Sequence, residues 1–202
     1  MPVRSLEPRP RRRDLLASAA GMAGLAAFGS LLNPSSAKGA TAHKPLDPVN
    51  PDILYGTTSS LWRPYKDLEW GIKRVAYHGL QGIEPYADAI QPYRKEPLKL
   101  KKIFDDHGIT MIDVSNGERG QSTNFIDKDQ IPKTIADHVT FAREFLVPFG
   151  CTHYKANMGQ RPPGGPSDDQ LKRLADTLNE IGRQTIEMGI RIAPHPHTWG
   201  PM

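Results

Sequence analysis

The chain has 202 residues, 38% of them hydrophobic and 24% charged, which is an ordinary globular composition with room for one domain and an appendage. The net charge is +4, but six basic and two acidic residues within 1–42 account for all of it, and the 20 basic and 20 acidic groups of 43–202 cancel. A neutral body has no overall pull on a phosphate backbone, so nucleic acid is excluded as a partner. With Cys151 as the only cysteine, an internal disulfide is excluded too, and a small buried residue is the expected use of that side chain.

In chain order the first segment is a leader, 1–42. Arg11, Arg12 and Arg13 precede Leu15 and Leu16, a mildly apolar Ala/Gly-rich run follows, and Ala40-Thr41-Ala42 offers a cleavage site, with Ser35-Ser36-Ala37 as the alternative. Paired arginines just ahead of Leu-Leu resemble a twin-arginine signal, so export to the periplasm or outside the cell is expected; an uncleaved membrane anchor or a Sec signal is the alternative. No other stretch is long and apolar enough to span a bilayer, so no stable membrane span is expected after cleavage. Residues 43–52 carry three prolines and read as a linker.

From 53 to 202 the chain repeats one unit: an amphipathic helix, a glycine (Gly79, Gly108, Gly150, Gly189), then a short apolar strand. Asp67 is placed to cap a first helix that buries Leu68, Ile72, Val75 and Ala76. Leu100, Ile103, Phe104 and His107 mark the second. Pro132 opens the third, with Ile135, Val139, Ala142 and Leu146 behind it. Ser167-Asp168-Asp169-Gln170 is a capping box for the fourth, whose expected inner face is Leu171, Leu174, Ala175, Leu178 and Ile181. Strands are expected at about 53–57, 82–85, 109–115, 152–156 and 190–194. Strand–helix alternation requires a parallel sheet, and repeated crossovers of one hand curl it into a barrel. The fold class is therefore α/β, a partial (β/α)8 barrel of about five parallel strands and four helices preceded by a signal peptide; a full barrel takes eight of each. A doubly wound open sheet would want a glycine-rich phosphate loop after the first strand, and Tyr55-Gly56-Thr57-Thr58-Ser59-Ser60 is not one.

In a parallel barrel the chemistry sits at the C-terminal strand ends. That rule selects Thr57 and Ser59, Glu84, Asp113 with Ser115 and Asn116, Lys155 and Asn157, and His195 with His197. His195-Pro196-His197 is the sharpest feature: two imidazoles two residues apart on an extended backbone point to one side, which suits a divalent metal or a proton-transfer pair, while a rigid proline-rich turn is the structural alternative. Glu84 reads equally as an acceptor for a sugar hydroxyl or as the ion-pair partner of Lys155. Asp113 reads as a functional strand-end carboxylate or as a solvated or helix-capping one, the second being preferred. Lys155 is suited to polarising a carbonyl or to a structural ion pair. Trp62 and Trp199 are large enough to stack on sugar rings, though packing is the commoner use.

Tyr55-Gly56-Thr57, Gly82-Ile83-Glu84, the helix–glycine–strand joints and Pro194-His195-Pro196-His197 resemble the xylose-isomerase-like TIM barrels, the sugar phosphate isomerases/epimerases with their inosose dehydratase and ketose epimerase branches. The resemblance covers about 53–202. It implies a metal-assisted isomerase or epimerase on a small sugar or polyol, moving a proton beside a carbonyl through an enediol. The expected site is then Glu84, Lys155 and His197 as catalytic groups, Thr57, Asn157 and Trp199 on the substrate, and His195 and His197 on a divalent ion (Mn, Mg, Co or Zn). The family's first ligand commonly ends the fifth strand as Glu, so histidines there depart from the pattern, and its remaining ligands come from strands six to eight, which this sequence lacks. The 202-residue product alone is accordingly expected to have little activity, and a homodimer is the arrangement that would cover its open strands. A non-catalytic remnant or carbohydrate-binding protein is the second reading, and a metal-dependent phosphodiesterase the third.

Overall fold

The computed structural model describes residues 53–63 and 66–196; the leader, the linker, His197 and Trp199 lie outside them. The chain divides into Met1–Thr41 and Ala42–Met202, and every described residue belongs to the second unit. Its elements run β1 (Gly56–Thr58), α1 (Leu68–Tyr77), β2 (Gly82–Glu84), α2 (Pro97–Asp106), β3 (Thr110–Met111), β4 (Val114–Ser115), α3 (Ile131–Phe141), β5 (His153–Asn157), α4 (Asp168–Ile186) and β6 (Arg191–His195). No helix among the described residues is long and apolar enough to cross a membrane.

The strands are parallel, in two ladders ordered β1-β2-β3 and β4-β5-β6. A bridge between Tyr86 and Ser115 joins the ladders: the Ser115 N–H donates to the Pro85 carbonyl at 3.0 Å, and the Ala87 N–H to the Ser115 carbonyl at 2.9 Å. The single third strand expected from the sequence is thus β3 and β4, interrupted at Ile112 and Asp113. With four helices outside it, the array is a partial TIM barrel, as the alternation implies.

The four joints are built alike. Leu80, Ile109, Cys151 and Ile190 donate their N–H groups to the carbonyls of Val75, Phe104, Leu146 and Thr185, five residues back, at 3.0 to 3.1 Å. The residue before each donor must turn left-handed to let the chain double back, and Gly150, at φ 88°, does so without the Cβ penalty another residue would meet. The donors then drop into the core, with Ile109, Cys151 and Ile190 at most 5% exposed. Burial pushes the Cys151 thiol up to about 11, so it packs as a small apolar group and supplies no nucleophile.

Helix starts follow the sequence. Asp67 accepts the Trp70 N–H at 2.8 Å, and Ser167 and Gln170 close a reciprocal capping box. Beyond Phe141, α3 widens into a π turn, Ala142–Leu146, before a last turn, Val147–Phe149. Pro148 accounts for this, because a proline ring clashes with the carbonyl four residues back and offers that carbonyl no N–H. The α4 helix is rotated from its expected face. Leu174, Thr177, Ile181 and Thr185 are buried, whereas Leu171 is 41% exposed and Ala175 also faces out. The cause is the neighbour: Thr177 donates to the Phe125 carbonyl at 3.2 Å and so turns that side inward.

Strand register divides the side chains between two faces. Ile83, Met111, Val114, Tyr154 and Ala156 are buried toward the helices. Gly56 and Gly82, paired with each other, lie on the opposite face, where Ile112 covers them. A Cβ on Gly82 would sit 2.5 Å from Ile112 Cδ1. Gly82→Ala is therefore expected to cost about 1–3 kcal/mol through overpacking, and Ile112→Val in the same chain to recover part of the loss, as read from urea unfolding midpoints.

Candidate functional site

The inner face collects Thr58, Glu84, Tyr86, Ser115, Lys155 and Asn157, followed by Ala193 and His195, because these positions are paired neighbours or lie two residues apart on the same strand. Regular alternation would send Asp113, next to the inward Ile112, into the apolar helix layer. Instead the chain bulges, and Ile112 and Asp113 both face inward before Val114 returns to the core, a device that re-aims a side chain.

Glu84 Oε1 accepts the Ser115 hydroxyl at 2.7 Å and is ion-paired with Lys155 Nζ. The structure thus realises the pairing that the sequence left even with a sugar-binding role. Both side chains are largely buried, at 21% and 14% exposed, so each charge depends on the other. The Lys155 ammonium also lies 5.7 Å from the Tyr86 ring centroid. Arg63 lies over that ring at 4.2 Å and pairs with Asp88 at 2.5 Å, which closes the rim beyond the end of β2.

Asp113 is half-buried and its Oδ1 has no hydrogen-bond partner among the described residues. Burial, then the charge of Glu84, raise its carboxyl from 3.8 to about 6, against the opposing pull of Lys155 and His153. The solvated or capping role expected of it is not what the structure shows. Two carboxylates, Glu84 and Asp113, and one ammonium, Lys155, share the inner face.

Asn116, just beyond β4, is 4% exposed. Its Oδ1 accepts the Asn157 N–H at 2.8 Å and Asn157 Nδ2–H at 3.1 Å. Its Nδ2 donates to the Asn157 carbonyl at 3.0 Å and lies 3.0 Å from His138 Nε2. His138, on α3, is wholly buried, and burial lowers its imidazole to about 4, so the ring is neutral. The sequence analysis missed His138. Its only signal was that it shares a helical face with Thr134, four residues before it and also buried.

The remaining expectations fall as follows. Thr57 is in register with Ile83 and so shares the helix-side face; the inward residue of β1 is Thr58. Ser59 is buried and accepts the Tyr86 N–H at 2.9 Å, a tie between two strand ends. Trp62 packs over Gly71 in the core rather than over the strand ends. His195 is half-buried in register with Asn157. Among the described residues no three His, Cys, Asp or Glu side chains converge as metal ligands. His195 would be a single ligand, so the described residues do not by themselves fit a divalent-ion site.

Solved structures resemble this arrangement. A sugar phosphate isomerase/epimerase from Parabacteroides distasonis superposes with a TM-score of 0.56 at 18% identity, over 77% of this chain and 55% of that one. A D-psicose 3-epimerase with D-tagatose from Clostridium cellulolyticum gives 0.58 at 18%, over 69% and 51%. The apo 3-keto-D-glucoside 4-epimerase from E. coli gives 0.55 at 15%, over 70% and 55%. The chain therefore spans about half the length of these structures, and at such identities the likeness is one of fold. No curated protein gives a significant sequence match. The model of one family, described as xylose isomerase-like TIM barrel, matches residues 72–202. With most of its length covered by that match and its strands and helices in barrel order, the chain belongs to the xylose isomerase-like TIM barrel family.

Proposed function

We propose that the inner strand ends bind a small sugar or polyol and move a proton beside its carbonyl, the chemistry of an isomerase or epimerase. The observation that carries this reading is the group Glu84, Asp113 and Lys155. Glu84, tied to Lys155 and Ser115, serves as a fixed negative charge. Asp113, held near 6, both takes and returns a proton close to neutral pH. In the proposed step the Asp113 carboxylate takes the proton from the carbon next to the carbonyl. The C–H electron pair forms the enediolate double bond, the carbonyl pair moves to oxygen, and the Lys155 ammonium faces that charge. Return of the proton to the same carbon, on its other face once the enediolate has turned over against Asp113, gives the epimer; return to the former carbonyl carbon, with the hydroxyl proton passing from one enediol oxygen to the other, gives the isomer. His197 and Trp199 remain proposed contributors, and His195 with His197 the proposed fifth-strand contribution to a divalent ion; the proton transfer described does not run through that ion.

Solvent-deuterium exchange tests the reading, because it detects one proton transfer even where net turnover is slow. The full chain is incubated with D-fructose or D-tagatose in D2O and followed by proton NMR. Loss of the signal beside the carbonyl is expected, with a fall of at least about 100-fold in rate for Asp113→Asn. Sugar binding without exchange would support the second reading, a carbohydrate-binding protein.

We also propose that residues 1–42 direct twin-arginine export. With Arg12 and Arg13 both changed to lysine, the protein is expected to stay in the cytoplasmic fraction; unchanged export on cell fractionation refutes it.

A further inference from the structure

Resting on the reading of the strand ends as a sugar site, we propose that His138 and Asn116 are positioning residues that fix the Asn157 carboxamide and present its Oδ1 as the acceptor for a ligand hydroxyl. The argument is a chain of donors and acceptors, each link forcing the next. It begins in the helix layer, at a side chain that touches no ligand. His138 sits between the rings of Phe125 and Tyr154, with centroids 5.3 and 5.5 Å away. Its Nδ1 lies 2.7 Å from the Thr134 carbonyl. A carbonyl only accepts, so Nδ1 carries the proton. The neutral ring then has a lone pair on Nε2, and Asn116 Nδ2 donates to it.

The other Nδ2 proton of Asn116 goes to the Asn157 carbonyl. Both donors of the amide are committed, and flipping it would set an oxygen against each acceptor. Asn116 Oδ1 must therefore face Asn157, where it takes the backbone N–H and the side-chain Nδ2–H. That second bond fixes which end of the Asn157 amide is which. Its Oδ1 is left over, buried and without a partner among the described residues.

A buried carbonyl oxygen that has lost water and gained nothing is unfavourable, and such atoms call for a ligand or an ordered water. This one belongs to the inner face, two residues beyond Lys155 on β5 and in register with His195. A sugar hydroxyl donates to it at no cost in charge. The arrangement also explains why α3 keeps a neutral histidine among aromatic rings: leucine would fill the space but accept nothing from Asn116.

The experiment has two arms, both on the full chain. Long-range nitrogen–proton NMR of the histidine rings, between about pH 5.5 and 8, is expected to show His138 protonated at Nδ1 alone. An Nε2–H tautomer or an imidazolium in that range overturns the positioning. The second arm measures D-fructose affinity by NMR titration, with thermal unfolding recorded for every variant. His138→Leu and Asn157→Ala are each expected to weaken binding about tenfold. His138→Gln, whose side-chain oxygen reaches the same height and accepts from Asn116, is expected to stay within about threefold of the parent. A folded His138→Leu chain that binds as the parent does overturns the positioning while leaving the sugar site standing. A parent chain that binds no D-fructose overturns the sugar site and the acceptor role together. If His138→Leu fails to fold, Asn157→Ala binding at parental strength overturns the acceptor role, and the tautomer arm still decides the positioning.

Discussion

Replacing Lys155 with methionine is expected to cost about 3 kcal/mol of folding stability. The ammonium is the counter-charge for Glu84 and also opposes the raised Asp113 carboxyl. Methionine keeps much of the volume, so packing contributes little to the loss. What remains is a largely buried carboxylate beside a second acid, with no cation between them. Breaking one side of a buried pair is expensive because the surviving charge stays desolvated. Changing Glu84→Gln in the same chain removes that charge and should recover more than half of the loss, since Ser115 Oγ still has an oxygen to donate to. Urea unfolding at neutral pH, run as a double-mutant cycle, reads both values. Equal losses in the single and double variants would show that the stranded Glu84 charge is not what the Lys155→Met chain suffers from.

Asp113→Asn carries the opposite sign. The folded carboxyl sits near 6 against an ordinary 3.8, so the folded chain holds this proton more tightly than the unfolded chain. Its contribution to stability is fully present below about pH 3.8, falls as pH rises, and is lost once pH has passed the folded value near 6. Above that the ionised side chain is a burden the fold carries for another purpose. Asparagine should therefore stabilise the protein by about 1–2 kcal/mol at pH 7.5, after allowance for solvent screening of a half-buried group, and by nothing measurable near pH 4. The same change is the one expected to slow deuterium exchange at least about 100-fold. A substitution that raises stability while removing activity is the signature of a functional residue held in an unfavourable setting.

Much of this was legible from the amino-acid order. Caps at Asp67 and Ser167, the glycine after each helix and the helical spacing of Leu68, Ile72 and Val75 are local, and local signals survive in a sequence. The barrel rule then placed Glu84, Lys155 and Asn157 at strand ends. Four features were not legible, for one reason: each is decided by a neighbour distant in the chain. The bulge at Ile112 and Asp113 arises where the third strand pairs with β2 on one side and β5 on the other. Nothing in Thr110-Met111-Ile112-Asp113-Val114 announces it. The α4 face turned on a carbonyl at Phe125. Thr57 and Thr58 differ only in parity, and a one-residue shift in pairing exchanges the faces of a strand. His138 combined both difficulties, a polar residue at a buried helical position whose partner Asn116 comes from a strand end 22 residues away.

The central claim is that Glu84, Asp113 and Lys155 form one proton-holding unit on the inner face of the strands. Carbon-13 NMR of the carboxyl groups, titrated through the acid and neutral range in the parent and in Glu84→Gln, tests it most directly. The account predicts an Asp113 carboxyl titrating near 6 in the parent. In Glu84→Gln that value should fall, because one raising charge has been removed while burial still raises the carboxyl and Lys155 and His153 still lower it. An Asp113 carboxyl that titrates at its ordinary value in the parent, or one unmoved by the loss of the Glu84 charge, would contradict it.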